Sequence, residues 1–90
     1  MNVFWDPGKA KTNFQKHRIR FSDAEFVFYD PMALEIEEQL VNGEQRFVSV
    51  GSDSIGRILV VVYAYREDKI RIISARKATP RERKAYEKRI

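Results

Sequence analysis

The residues of this chain that could do chemistry are mainly cations, and their spacing is uneven. From Lys9 to Arg20 there are five Lys or Arg and no acid, and from Arg66 to Ile90 ten basic residues stand against four acids. Between them, Asp23 to Glu44 carries seven acids and no Lys or Arg. A domain built this way presents a basic surface beside an acidic one, and basic surface attracts phosphates. Polyanion binding is the first expectation. His17 is the one histidine, and histidine is the side chain that exchanges protons near neutral pH. There is no cysteine, which removes thiolate nucleophiles, a disulfide framework and cysteine-based zinc sites. The acids are spread over two elements without metal-ligand spacing, so no metal and no cofactor are expected, and the acidic stretch reads as a solvated face or as a surface for a basic partner.

The elements that must position these groups fit one domain spanning residues 1–90, with a hydrophobic fraction of 43% suited to a globular fold. No apolar run approaches the roughly 20 residues that span a bilayer, and the start lacks a signal-peptide core, so no membrane association and a cytoplasmic location are expected. Val3–Trp5 reads as a short strand. Asp6 then caps a helix that opens on Pro7 and runs to about His17, with Ala10, Phe14 and His17 on one stripe. Ser22 and Glu25 have capping-box spacing, flanked by Phe21 and Phe26 as a staple. They predict a second helix from about Asp23 to Phe28, ended by Asp30-Pro31, with Val27 and Phe28 as its apolar side.

The period then becomes two. Leu34 and Ile36 alternate with Glu35 and Glu37, Asn42-Gly43 marks a hairpin, and a strand follows from Arg46 to Val50. Arg57–Tyr65, apolar on both parities, reads as a central strand covered on both faces. Glu67-Asp68 turns the chain into a last strand, Lys69–Ala75. Thr79-Pro80-Arg81-Glu82 opens a final helix, with Ala85, Tyr86 and Ile90 facing inward. The expectation is an α+β fold of order β-α-α-β-β-β-β-α, an antiparallel meander packed against two N-terminal helices and one C-terminal helix.

Several strings recur in one order and spacing: FWDPGKAKTN from Phe4, KH at Lys16-His17, FSDAEFVFYDP from Phe21 to Pro31 and GEQR from Gly43 to Arg46. They continue with GRILVVVY from Gly56 to Tyr63, IRIISARKA from Ile70 to Ala78, and Glu82-Arg83 with Tyr86. Together they resemble the BrnT family of bacterial toxins, whose members are similar in fold to the RelE ribonuclease toxins. The resemblance implies a type II toxin, an endoribonuclease that needs no metal and inhibits translation. It also implies silencing by a BrnA-like ribbon-helix-helix antitoxin in a hetero-oligomer, a dimer of toxin–antitoxin dimers that meets operator DNA only through the antitoxin. One departure stands out: the family usually places Gly after the Lys-His pair, where this chain has Arg18, which would be strained at a positive φ.

Metal-free RNA cleavage needs a base for the 2′-hydroxyl proton, cations for the phosphorane and an acid for the leaving oxygen. The substrate brings its own nucleophile, so positioning and electrostatics supply most of the effect. The resemblance points to Arg71 and Arg76 as phosphate contacts, because a guanidinium fork grips two oxygens. Five residues apart on a regular strand they would face opposite ways, so a shared groove requires a bulge or an Arg76 beyond the strand end. The alternative for Arg71 is a cross-strand ion pair with a carboxylate such as Glu35 or Glu37.

His17 is a candidate acid or base, set against a packing role on its stripe. Lys9 is a further catalytic candidate by the family motif, another possible acid or base, set against a solvated charge. Tyr86 could donate a proton or stack a base, set against core packing, and Tyr63 and Tyr65 read as core. Arg46 and Arg57 open neighbouring strands and could line the groove entrance or simply be strand ends. Lys77, Arg81 and Lys84 would add to a basic funnel for RNA. Two other classes stay open: a non-catalytic RNA-binding module, and an interaction protein acting through its acidic stretch.

Overall fold

The computed structural model describes residues 2–89. Its elements are β1 (Asn2–Phe4), α1 (Pro7–His17), α2 (Phe21–Ala24), a 3-10 turn (Glu25–Tyr29), β2 (Leu34–Val41), β3 (Glu44–Ser52), β4 (Ile58–Arg66), β5 (Lys69–Lys77) and α3 (Pro80–Glu87). Asp6 caps α1 by accepting from the Lys9 N–H at 2.9 Å. The helix ends at Arg18, which adopts the left-handed conformation (φ 60°) and donates its N–H to the Phe14 carbonyl at 2.8 Å. Asn42 (φ 50°) and Gly43 (φ 77°) make the tight turn between β2 and β3, as their pairing in sequence suggests.

The sheet order is β1-β5-β4-β3-β2. Strands β2 to β5 form the antiparallel meander, but β1 joins the sheet and pairs in parallel with β5, so the sheet is mixed rather than antiparallel. After β1 the helices carry the chain across one face to the opposite edge, where β2 begins. Nothing local to a three-residue strand reveals so distant a partner.

The second helix also departs from expectation. It begins two residues early, at Phe21, with no side-chain cap among the described residues, and after Ala24 it tightens into the 3-10 turn. Ser22 therefore does not act as the cap. Phe21 is buried in the core while Phe26 is 47% exposed, so the two form no staple. The capping box of α3 does form, Thr79 Oγ1 accepting from the Glu82 N–H and the Glu82 carboxylate accepting from the Thr79 N–H.

The central strand β4 is buried on both parities. Leu59, Val61 and Tyr63 join Ile19, Phe21, Ala24, Val27, Ile70, Ile72 and Ala75 beneath α1 and α2. Val60 joins Val48, Val50 and Tyr86 beneath α3. Of the residues expected to face inward from α3, Tyr86 does so, Ala85 is exposed, and Ile90 lies outside the described residues. Tyr65, read as core, is 57% exposed near the end of β4. Edge strand β2 has a register break between Glu35 and Glu37, and Leu40 is 77% exposed.

Strand β5 carries the irregularity that matters most. Val62 pairs with Ser74 but Tyr63 pairs with Ile72, leaving Ile73 as an extra residue. That bulge reverses the parity, which is why Ile70, Ile72 and Ala75 all lie in the same core. Arg71 and Arg76 consequently share the opposite face, the one that α3 covers in part.

Candidate functional site

Helix α3 lies over Val48, Val50 and Val60 and leaves the far end of that sheet face open. There Arg71 pairs across the sheet with Ala64, and Arg46 follows one step beyond the Phe47–Tyr63 pair, so the two arginines flank Ala64. Glu44, on the same side of β3 as Arg46, sits between them. Arg71 Nη2 donates to both Glu44 carboxylate oxygens at 2.7 and 2.9 Å, and Arg46 Nε donates to Glu44 Oε1 at 3.1 Å. Hydrogen bonding from Arg46, with the positive charges of both arginines, holds the Glu44 carboxyl below its ordinary range in spite of partial desolvation. All three side chains keep between a fifth and a third of their surface in solvent, which leaves the cluster accessible from above.

Arg71 therefore does form the cross-strand ion pair weighed from sequence, but with Glu44 rather than Glu35 or Glu37. Arg76 is some four residues further along the β4 register, about 13 Å at the usual strand rise, so one face holds both arginines without bringing them into contact. Its fork grips the Glu82 carboxylate at 2.8 Å through both Nη atoms. That bidentate bond is the main reason the Glu82 carboxyl is lowered to about 2, and it raises Arg76 in return.

The remaining candidates sit elsewhere. Tyr86 is buried at 5% exposure, and its hydroxyl donates to Asp30 Oδ2 at 2.6 Å. Burial, then that bond to a carboxylate, push the phenol up to about 12, so it is a poor proton donor. For Asp30 burial is the largest influence and acts upward. The bonds from Tyr86 and from the Ser52 and Met32 N–H groups outweigh it, and the net shift is downward. Tyr86 thus ties α3 to the segment before β2 rather than reaching a groove.

Lys9 and His17 line a cleft of about 500 Å3 between α1 and Ile73-Ser74 at the β5 bulge, joined there by Lys16. Arg57 is committed to Asp53 (2.6 Å) and Asp23 (3.3 Å), closing the turn between β3 and β4. Lys77, Arg81 and Lys84 are exposed and form no ion pair among the described residues.

The family model described as the ribonuclease toxin BrnT of a type II toxin-antitoxin system matches residues 5–82. The chain belongs to the BrnT family. Its structure is similar to the crystal structure of the Brucella abortus ribonuclease toxin BrnT, with 26% identity and a TM-score of 0.66 over 88% of this chain and 97% of that one. A comparison with curated proteins found no match. As a BrnT toxin the chain acts with an antitoxin as partner and RNA as substrate. The match takes in Lys9, His17, Arg46, Arg57, Arg71, Arg76, Lys77 and Arg81 and ends before Lys84 and Tyr86.

Two carboxylates that hold these arginines were given no site role in the reading of the sequence. Glu44 stands inside the GEQR string and Glu82 inside the capping box, yet a search for cations on a polyanion surface gives no weight to acids. The signal available for Glu44 was its place immediately after the Asn42-Gly43 turn, which presents it at a strand start.

Proposed function

We propose that this BrnT toxin is a metal-independent endoribonuclease whose reaction centre is the Arg46–Glu44–Arg71 cluster. The observation that carries the reading is a solvent-accessible carboxylate shared by two guanidinium groups on an open sheet face. Before RNA binds, the arginines hold Glu44 ionised. A scissile phosphate seated on the two forks competes for the same N–H donors. As those bonds move to the phosphate, Glu44 loses the stabilisation of its anion and its proton affinity rises.

Glu44 then accepts the 2′-hydroxyl proton, and the 2′-oxygen forms a bond to phosphorus. The bond to the 5′-oxygen breaks, and that oxygen takes a proton from the solvent to which the face is open. The products are a 2′,3′-cyclic phosphate and a 5′-hydroxyl end. The arginines stabilise the added phosphorane charge. Arg76 on the same face, with Lys77, Arg81 and Lys84, draws the flanking strand in. His17 and Lys9 serve binding on this reading.

The partner is a BrnA-like ribbon-helix-helix antitoxin that covers this face, in a dimer of toxin–antitoxin dimers, and the wider kin of the fold are the RelE-like toxins. One observation favours a second reading, a non-catalytic RNA-binding module: Tyr65 lies exposed beside Phe47, as a stacking platform would. Incubating a defined RNA with the purified chain in excess EDTA, beside Arg71→Ala, decides between them. Cyclic-phosphate ends from the parent chain, formed about 10²–10³-fold more slowly by the variant, support the proposal. Binding without cleavage by the parent, alone and with ribosomes, supports the module.

A further inference from the structure

On the far side of α1 from the Lys9–His17 cleft lies a pocket of about 550 Å3 walled by Trp5, Ala10, Phe14 and Phe21, with Lys11, Arg18 and Arg20 among its lining. Arg20 places its guanidinium carbon 4.7 Å from the Phe14 ring centroid, and Arg18 places its own at 5.6 Å. Trp5 and Phe14 are half-buried, while Lys11, Arg18 and Arg20 are exposed. Among the described residues none of these three cations forms an ion pair. A volume of this size falls in the range of ligand sites.

Arg18 adds an independent observation. It holds φ at 60°, where a side chain other than glycine is strained. Its N–H caps α1 through the backbone alone, which glycine would do as well. What the arginine side chain adds is a second guanidinium over Phe14 at the pocket.

We propose that this pocket binds a nucleotide of single-stranded RNA. The base stacks against Trp5 and Phe14 and beneath the guanidinium planes, and its phosphates meet Arg18, Arg20 and Lys11. The pocket lies with α1 on the face of the sheet opposite Arg71, so it holds RNA away from the reaction centre. This rests on the RNA reading above and adds a site to it.

Trp5 is the chain's one tryptophan, so its fluorescence reports this pocket alone. The full chain is titrated with a short single-stranded 2′-O-methyl oligonucleotide, which cannot be cut, while anisotropy of the labelled oligonucleotide follows binding anywhere on the protein. Quenching of Trp5 that tracks the anisotropy, weakens with salt, and moves to several-fold higher concentration in Arg20→Gln is the expected result. Arg18→Gly should raise the melting temperature by relieving strain and yet weaken the quenching, a combination that a purely structural Arg18 does not give.

Anisotropy that rises while Trp5 stays silent overturns the pocket and leaves the ribonuclease reading intact. A chain that neither binds nor cuts RNA overturns both. Trp5 emission that responds to the purified antitoxin but not to RNA makes the pocket a protein interface and also overturns the proposal.

Discussion

The molecule carries two populations of positive charge. On the sheet face partly covered by α3, Arg46 and Arg71 end on Glu44, and Arg76 ends on Glu82. Around α1, none of Lys9, Lys11, Lys16, Arg18 and Arg20 forms an ion pair among the described residues. A cation held by a carboxylate has a fixed geometry and contributes little long-range field, because the pair is nearly neutral from a distance. An unpaired cation attracts phosphate from further away but has no set orientation. The first arrangement suits a site where atoms must be placed, and the second suits capture of a polyanion.

The strongest way to break that comparison is to remove one cation from each group and compare rates. Arg71→Ala should lower RNA cleavage about 10²–10³-fold, the scale for losing one preorganised charge-stabilising group. His17→Ala should cost less than the roughly 10²-fold that a general base carries. Single-turnover cleavage assays give both numbers, and the reverse ranking would move the reaction centre to the α1 cleft.

Removing the carboxylate and keeping the arginines sharpens the same contrast. Glu44→Gln should slow cleavage about 10²-fold while tightening RNA binding, since two guanidinium groups lose their anionic competitor. The free-enzyme Glu44 carboxyl lies below its ordinary value of 4.5, so it is already ionised at every pH above that. The wild-type kcat/KM should therefore stay flat on the acid side down to about pH 4.5 and fall only below it, and the variant should lose that limb. A wild-type acid limb near neutral pH would assign the proton transfer to an imidazole and sink the role given to Glu44.

How much of this was readable in advance differs between the two populations. The basic run around α1 is legible because no acid interrupts it, and among the described residues no distant acid reaches its cations. On the sheet the sequence gives the arginines but not their partners: Glu44 and Arg71 are 27 residues apart and meet only through the β3–β4–β5 register. The bulge at Ile73 decides which way Arg71 and Arg76 point, and nothing in the run Ile72-Ile73-Ser74 marks it, since those residues suit either parity. The parallel pairing of β1 was hidden for the same reason of distance. Tyr86 illustrates the opposite case, its apolar-side spacing on α3 being enough to suggest the packing role that the structure gives it.

Tyr86→Phe tests whether that buried hydroxyl belongs to stability rather than chemistry. It removes one of the three donors to Asp30 among the described residues, in a partly buried site, so a loss of about 1–2 kcal/mol is expected. For a domain of this size each kcal/mol corresponds to roughly 4–8 °C in Tm. Cleavage of RNA at a temperature below the transition should be unchanged. A variant that melts normally but no longer cuts would place the phenol in the reaction and enlarge the site to include the face beneath α3.

The smallest effect is expected at Glu82→Gln, which turns Arg76 into a cation of the α1 kind. Glutamine preserves the capping box, so the substitution isolates the ion pair, and Arg76 keeps 39% of its side chain in solvent. A pair so exposed contributes about 0.5–1 kcal/mol. The sign with pH follows from Glu82 being lowered to about 2 from 4.5. A depressed carboxyl adds stability that is complete above 4.5 and disappears as pH falls toward 2, so the difference in Tm between parent and variant should be constant near neutrality and close in acid. The freed guanidinium should also gain a phosphate, steepening the slope of log affinity against log salt by about 0.7 for single-stranded RNA. An unchanged slope, with the expected change in Tm, would mean that Arg76 fastens α3 to β5 and takes no part in holding RNA.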